Sequence, residues 1–507
     1  MSAVRIRPAL TGVLALVLSG GVLSACTSGP PPDDSEVVGR GPSVLETQQD
    51  DRDVGRSAAE QVKHEMGLVE DGRLEVYVQK LGRRIAQGAG GFRYEFHVVD
   101  QAAPNAFALP GGHIYLSRGL LQLANSEDEL ACVLGHEIVH VAARHAAARQ
   151  HVQRTTANPL MLPGIVLGSV FGEKVGRATS EPLRSFNAPY VASFSRDQER
   201  TADQQGQRMA ARAGFDPAGM ASFLDKLSRY ESVTFGYSRL PSFMDSHPMT
   251  GERLNTASAE AGLIRWHRQP GVAKNHESFL GKVEGLVVGP PASEGVFIGD
   301  RFLHPDLDFS IRFPRNWRTV NAQMAVGAVA PSRNVQIFLS QPTRGSDPKA
   351  AARAFLADAG ERLRIQVVDQ KDMKIGRANA YRVHARASMG GARLGGQLTW
   401  IAHQDRVYRL TAIAVSGEGK DYIGRARNTA RSFRPLTPEE KASILERRLR
   451  LVRAKPGETL HALGERSGNL ADLRVLALAN DLTSTGKIEG GRLVKIARSE
   501  PYFTGKP

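Results

Sequence analysis

Residues 136–140 read His-Glu-Ile-Val-His, an H-E-x-x-H motif. Because residues four apart share one face of an α-helix, His136 and His140 can offer two imidazole nitrogens to the same metal ion. Glu137 then lies beside the metal, where the general base of a zinc hydrolase is found. The motif therefore predicts a helix that carries the first half of a zinc site.

The sequence also predicts where this helix begins. Ser126 and Glu129 have the spacing of a capping box, and an apolar run follows them. Cys132 lies one turn before His136, near the ligand face. A thiol inside an apolar helix is more often a small core residue than a ligand, and we interpret Cys132 in that way.

A zinc enzyme needs a third protein ligand. His145 follows the motif, but it is nine residues from His136 and so lies on another face of a continuous helix. Ala143 and Ala146 also stand where the metzincin pattern requires Gly and His. We interpret His145 as structural.

A better third ligand lies in the helix-like stretch 195–203. Glu199 and Asp203 are four apart, so Glu199 can bind the metal while Asp203 hydrogen-bonds the outer nitrogen of a ligand histidine. The alternative is an exposed, charged helix face without a metal.

Four pieces of sequence, in this order and spacing, resemble the gluzincin family of the CAAX prenyl endopeptidases and HtpX, in particular its soluble periplasmic members of the BepA type. The pieces are Asn105 to Gly112, the H-E-x-x-H motif, Glu199 with Asp203, and Ser246-His247-Pro248 followed by Arg253. The resemblance spans roughly residues 50 to 265.

The resemblance implies one Zn²⁺ per chain, with His136, His140 and Glu199 as ligands and Glu137 as the catalytic base. It also places His247 beside the zinc. There His247 could act as a latch that occupies the fourth ligand position, or His247 or Arg253 could stabilise the oxyanion. The sheet edge beside the cleft, which a substrate peptide could extend as an added strand, comprises Asn105, Ala106, Phe107 and Ala108.

The N-terminus indicates export. Residues 1–25 have the basic and apolar regions of a signal peptide, and the sequence before Cys26 resembles a lipobox, which predicts a lipidated Cys26. Thr27 in place of Asp favours the outer membrane, facing the periplasm. The alternative is an ordinary signal peptide with a chance cysteine. Residues 26–50 are rich in Pro, Gly and Ser and predict a flexible tether.

The net charge and the cysteine count limit which binding partners and disulfides we expect. The 507 residues carry a net charge of +14, which favours anionic surfaces such as lipid head groups or cell-wall polymers. We find no nucleic-acid-binding module. Only two cysteines are present, so with Cys26 lipidated Cys132 has no partner for a disulfide.

The fold class predicted is multidomain. Residues 51–267 form a mainly helical zincin-type peptidase domain with a small β-sheet, including one helix over 56–87, a strand over 92–99 and a hairpin.

The regions after the peptidase domain are predicted as follows. Residues 268–295 are a linker. Residues 296–436 form an α+β accessory domain with a mostly antiparallel sheet, which weakly resembles PsbP. Residues 437–507 resemble a LysM module of βααβ order. The apolar segment 151–195 is either a lid over the cleft or a simple connection.

Together these features predict a lipid-anchored, periplasmic zinc endopeptidase that hydrolyses unfolded or misassembled envelope proteins. The LysM resemblance adds possible contact with peptidoglycan. Two alternatives remain open. One is a non-proteolytic chaperone or cell-wall tether whose zinc site stays closed, and the other is a cell-wall hydrolase guided by the C-terminal module.

Overall fold

A computed structural model describes residues 47–146, 194–234, 243–248, 251–322, 325–362, 365–389, 392–415 and 421–503. The predicted signal peptide, Cys26 and almost the whole tether lie outside these ranges, as does the predicted lid apart from Phe194 and Ser195. Within the described ranges, no helix combines the length and the apolar character needed to cross a bilayer.

The peptidase region is mainly helical where it is described. The prediction of one helix over 56–87 is wrong, because the chain turns at Gly67, where φ is 70°, and Asp71 caps a new helix by accepting from the amides of Arg73 and Leu74. The helices are α1 (Gln48–Glu65), α2 (Gly72–Ile85), α3 (Arg118–Leu123), α4 (Glu127–Ala142), α5 (Arg196–Arg212), α6 (Gly219–Thr234), α7 (Phe243–Ser246) and α8 (Gly251–Leu263).

A three-stranded sheet packs beside these helices. Its strands are β1 (Glu95–Val99), β2 (Ala106–Ala108) and β3 (His113–Ser117), in the order β1-β3-β2. β3 pairs in parallel with β1 and antiparallel with β2, so the predicted hairpin is confirmed and β2 lies at the edge. Phe96, Ile114 and Leu116 point into the core that the helices share.

The motif helix α4 begins as predicted at Ser126, whose side chain accepts from the amide of Glu129 at 3.2 Å. The reciprocal half of the capping box differs. Glu129 accepts from the amide of Asn125 at 2.8 Å and from the ammonium group of Lys226 at 2.8 Å. The first turn of α4 is thus joined to α6 by a buried ion pair.

The segment 268–295, predicted as a linker, contains helix α9 (His276–Val283), which Asn275 caps. Phe279, Leu280 and Val283 of this helix are buried in the same core as α4. The segment is therefore packed against the peptidase region, although the domain boundaries themselves stay a prediction.

The following region is α+β, as predicted. A three-stranded antiparallel sheet comprises β4 (Val296–Ile298), β5 (Arg301–His304) and β6 (Phe309–Arg312). A seven-stranded antiparallel sheet has the order β10-β11-β12-β13-β9-β8-β7, flanked by helices α10 (Pro348–Arg362) and α11 (Tyr422–Arg431). Its strands are β7 (Arg318–Ala322), β8 (Ala325–Val329), β9 (Val335–Arg344), β10 (Gln366–Ile375), β11 (Ala378–Met389), β12 (Ala392–His403) and β13 (Arg406–Val415).

The C-terminal residues form the predicted βααβ order after a short helix, α12 (Pro438–Ser443). The elements are β14 (Leu445–Arg453), α13 (Leu460–Ser467), α14 (Leu473–Ala479) and β15 (Leu493–Pro501), with the two strands antiparallel. We call residues 445–501 the C-terminal module. Its strand β14 also hydrogen-bonds the segment 285–288, and Leu449 and Leu478 are buried in the peptidase core.

A buried lysine fastens this module to the peptidase region. The Nζ of Lys495, on β15, donates to the carbonyls of Gln122 at 2.9 Å and Ala124 at 2.7 Å, at the end of α3. Burial lowers the pKa of Lys495 to about 7. Nearby, Asp481 of the module pairs with Lys226 at 2.8 Å, and Lys226 also pairs with Glu129 of the motif helix.

Replacing Lys495 should therefore weaken the attachment of the C-terminal module to the peptidase region and lower the stability of the protein. Lys495→Ala leaves two carbonyls unpaired in a buried place, which should cost about 2 kcal/mol of stability. Thermal melting would measure this loss. The control is Lys487→Ala at an exposed site of the same module, which should change stability by less than about 0.5 kcal/mol. Equal melting of the two variants would contradict the role of Lys495.

Candidate metal centre

The two motif histidines meet inside the protein. His136 and His140 lie one turn apart on α4, and both side chains are almost fully buried. Their Nε2 atoms are 3.0 Å apart. The helix thus aims two imidazole nitrogens at one point, as the motif predicted.

Helix α5 brings a carboxylate to the same point. Ser195 and Gln198 form a capping box that starts α5, and Glu199 follows in the first turn. Glu199 Oε1 lies 3.4 Å from His140 Nε2. The structure therefore places the predicted third ligand beside the motif, where it is buried.

His247 joins the group from the loop after α7. Its Nδ1 lies 3.1 Å from His136 Nε2 and 2.9 Å from Glu199 Oε1, and the residue is fully buried. The four ligand atoms of His136, His140, Glu199 and His247 all lie within 4.8 Å of one another. Donor atoms at such distances could hold one metal ion.

Asp203 and Arg253 support the donor atoms from outside. Asp203 Oδ1 lies 2.9 Å from His136 Nδ1, which is the contact predicted from the sequence. Arg253 donates to both oxygens of Asp203 at 2.8 Å and pairs with Glu199 Oε2 at 2.8 Å. Its guanidinium also donates to the carbonyl of His247. These contacts favour a positioning role for Arg253 over the predicted oxyanion role.

The protonation pattern fits a cation. The Asp203 carboxylate only accepts, so His136 Nδ1 carries a proton. When the ring is neutral, the lone pair of His136 is on Nε2, which lies 3.0 Å from His140 Nε2. Three carboxylates are buried at the site, those of Glu137, Glu199 and Asp203, and the guanidinium of Arg253 pairs with the last two. With neutral histidines this leaves two negative charges, which a divalent ion would balance. Two imidazoles and a carboxylate are a common zinc ligand set.

Glu137 lies on the side of α4 that faces the metal ligands. Neither of its carboxylate oxygens has a hydrogen-bond partner among the described residues, and Oε1 lies 3.5 Å from His247 Nε2. Burial raises the pKa of Glu137, while the nearby His247 and His136 partly oppose that rise. A buried carboxylate of raised pKa is suited to accept a proton.

His145 has a function that the sequence analysis missed. Its Nδ1 lies 2.9 Å from His140 Nδ1, so it supports the second motif histidine. His145 is not among the four donor residues, but its position differs from that on a continuous helix, because α4 ends at Ala142 and Arg144 has a φ of 52°, which turns the chain back. Phe194 stacks on His140 with ring centroids 3.9 Å apart and covers this side of the site.

The remaining predicted residues take separate places. Ala106, Phe107 and Ala108 form the edge strand β2, which packs against α4, and the amide of Asn105 donates to Ser117 Oγ. Cys132 is a buried core residue whose thiol lies 3.6 Å from the carbonyl of Asp216, so it is not a ligand.

Comparison with known proteins identifies this region. Residues 69–261 match Peptidase family M48. The match covers less than half of the 507 residues, so it shows what this segment is similar to. The M48 segment contains all four donor residues together with Glu137, Asp203 and Arg253. Zinc is the metal of M48 peptidases, in agreement with the ligand set.

Three relatives are similar to part of this chain. The beta-barrel assembly-enhancing protease of Yersinia pestis is 34% identical over 216 residues, which are 41% of this chain and 43% of the relative. The protein of that name from Escherichia coli K12 is 32% identical over 228 residues, 43% and 44% of the two chains. The mitochondrial metalloendopeptidase OMA1 of Schizosaccharomyces pombe is 29% identical over 181 residues, 35% and 50%. The chain thus spans at most half the length of these three relatives.

The region outside the M48 segment has weaker likenesses. The cyanobacterial PsbP of Synechocystis sp. PCC 6803 matches with a TM-score of 0.24 and 9% identity, covering 28% of this chain and 95% of that one. A TM-score of this size assigns no fold, so the PsbP-like prediction stays a prediction.

The metal centre should depend on a close helix crossing. A Cβ added at Gly206 of α5 would lie 2.6 Å from the backbone nitrogen of His136. Gly206→Ala should therefore push α5 from α4, lower stability by about 1–3 kcal/mol and weaken zinc binding roughly 10- to 100-fold. Chelator competition and thermal melting would measure both effects.

The matched control is Gly281→Ala in α9, where an added Cβ meets nothing within 4 Å. This change should leave zinc binding unaltered and raise stability by up to about 1 kcal/mol. Wild-type zinc affinity in Gly206→Ala would contradict the importance of the crossing.

Proposed function

We propose that the chain is a zinc-dependent endopeptidase of the bacterial cell envelope, with His136, His140 and Glu199 as zinc ligands and Glu137 as catalytic base. The single observation that carries this proposal is the convergence of the buried donor atoms beside the Glu137 carboxylate, which has no hydrogen-bond partner among the described residues. The printed names of the relatives, proteases and metalloendopeptidases, support the same reaction.

A zinc ion bound there would supply a Lewis acid that polarises the scissile carbonyl. Glu137 takes a proton from the attacking water and passes it to the leaving amine, for which its buried position and raised pKa are suited. Asp203 keeps the proton of His136 on Nδ1, and Arg253 holds Asp203 and Glu199 in place. Phe194 and Phe243, which stack on His140 and His247, keep water away from the donor atoms.

His247 acts as a latch in this proposal. Its Nδ1 already lies among the donor atoms, so with zinc bound His247 would be a fourth ligand in the resting enzyme and would leave no room for substrate. A substrate or partner that draws His247 away shifts the equilibrium toward an open, active state. The same contact supports the alternative of a non-proteolytic chaperone or tether, in which the site stays closed.

The proposed substrates are unfolded or misassembled envelope proteins. β2 pairs only with β3 among the described strands, and Phe107 and Ala108 are partly exposed at its edge. An edge strand recognises the main chain of an extended peptide, which is available in any unfolded protein. The name of the bacterial relatives, beta-barrel assembly-enhancing protease, is compatible with substrates of this kind.

The proposal also includes anchoring at the outer membrane through lipidated Cys26, facing the periplasm. The C-terminal module, with its LysM-like βααβ order, would then contact peptidoglycan. A net charge of +14 supports attraction to anionic lipids and wall polymers.

Glu137→Gln should abolish proteolysis while zinc stays bound. The amide cannot accept the proton of the attacking water, so casein cleavage should fall about 10²- to 10⁴-fold. Cleavage and zinc content would be measured on the same preparations. Glu465→Gln, at an exposed carboxylate, serves as the control and should keep full activity. Near-normal cleavage by Glu137→Gln would rule out the assigned mechanism.

His247→Ala should raise basal casein cleavage and self-cleavage several-fold, because the latch is removed while three ligands still hold zinc. Rates of wild type and variant on one unfolded substrate would be compared. His461→Ala, at an exposed histidine of the C-terminal module, is the control and should match the wild type. A fall in cleavage with zinc retained would instead assign His247 to oxyanion stabilisation.

A further inference from the structure

A second group of ligand-type side chains lies outside the M48 metal centre. Glu95 and His97 are two apart on β1, so they point to the same face of the sheet. His113 of β3 pairs with Glu95 in the parallel register and lies beside them. This face is covered by α1, because Ala58 and Val62 of α1 pack on it.

The three side chains are close but are not joined by good hydrogen bonds. His113 Nδ1 lies 3.4 Å from Glu95 Oε2, and His97 Nε2 lies 4.0 Å from the same oxygen. One ligand atom from each residue lies within 4.8 Å of the other two. His113 Nδ1 is buried and has no hydrogen-bond partner among the described residues. A cation or a proton between this imidazole nitrogen and the Glu95 carboxylate would stabilise the arrangement.

We propose that Glu95, His97 and His113 form a second metal site, which takes a divalent ion of the zinc class. Ligands about 2.0 Å from a tetrahedral ion are roughly 3.3 Å apart. The histidine nitrogens lie 3.4 and 4.0 Å from Glu95 Oε2, and the ligand atoms of all three residues lie within 4.8 Å of one another, so side-chain adjustments would bring them to that spacing. Two imidazoles select zinc or a similar transition ion over calcium or magnesium, which prefer oxygen ligands.

The surroundings match those of a metal site. His97 Nδ1, the nitrogen that would not bind the ion, lies 3.9 Å from Glu75 Oε1, an acceptor of the kind that orients metal-bound histidines. Burial lowers the pKa of His97 and of His113, which favours the neutral form of each ring. Arg56 of α1 also lowers the pKa of His113, but its guanidinium pairs with Asp53 at 3.1 Å.

The position of the site indicates a structural role. An ion there joins β1 to β3 beneath α1, next to the place where Gly55 of α1 approaches the carbonyl of Pro110 and the ring of His113. The turn that contains Pro110 leads back to the edge strand β2. Occupancy would therefore stabilise the attachment of α1 and the strand pair that carries the proposed substrate edge, without supplying a reacting group.

Metal counting on the full chain tests this inference. After dialysis against a weakly chelating zinc buffer, mass spectrometry of the wild type should give two zinc ions per chain. The double variant His97→Asn/His113→Asn should give one, keep its casein cleavage and lose the zinc-dependent part of its thermal stability. His64→Asn, at an exposed histidine of α1, is the control and should keep two.

A second arm separates this site from the catalytic one. His136→Ala/His140→Ala should still bind one zinc ion and should bind none once His97→Asn and His113→Asn are added. If the wild type binds one ion and His97→Asn/His113→Asn also binds one, the proposed site is wrong while the proposed peptidase function stands. If all variants lacking His97 and His113 bind as many ions as their parents, the second ion lies elsewhere and the proposal is also wrong.

Discussion

The backbones of α4 and α5 touch where Gly135 meets Gly206, and the metal centre depends on this contact. A Cβ on either glycine would come within about 2.6 Å of backbone atoms of the other helix. Glu199, Asp203 and Gly206 lie at positions i, i+4 and i+7 of α5, so they share the face that crosses α4. Gly135 directly precedes His136. The close crossing is what lets a short carboxylate side chain on one helix reach histidines on the other.

Charge pairing also holds the groups of the metal centre in place. The site confines carboxylates, imidazoles and one guanidinium in a volume from which water is excluded, and isolated charges are costly in such a place. Arg253 links Asp203, Glu199 and the backbone of His247, so one side chain keeps three groups in register. The ligand geometry and the loop that carries His247 therefore cannot be altered independently.

Local patterns predicted a large part of this arrangement. The motif helix, its serine cap, the hairpin and the contact of Asp203 with His136 follow from spacing along the chain. The βααβ order of the C-terminal module follows from its resemblance to a LysM module. What the sequence could not indicate depends on backbone reversals and distant partners. His145 reaches His140 only because Arg144 adopts a left-handed conformation. The docking of the module depends on residues such as Lys495 and Gln122, which are 373 positions apart.

That docking has a consequence for the order in which the protein matures. The motif helix is anchored at its first turn by Glu129 and Lys226, and Lys226 is paired in turn with Asp481. Lys495 lies 373 positions after Gln122, so it is synthesised well after the motif helix. A nascent chain that has been made only as far as the peptidase region lacks these partners. Full docking around the metal centre therefore has to wait until the C-terminal module has been made.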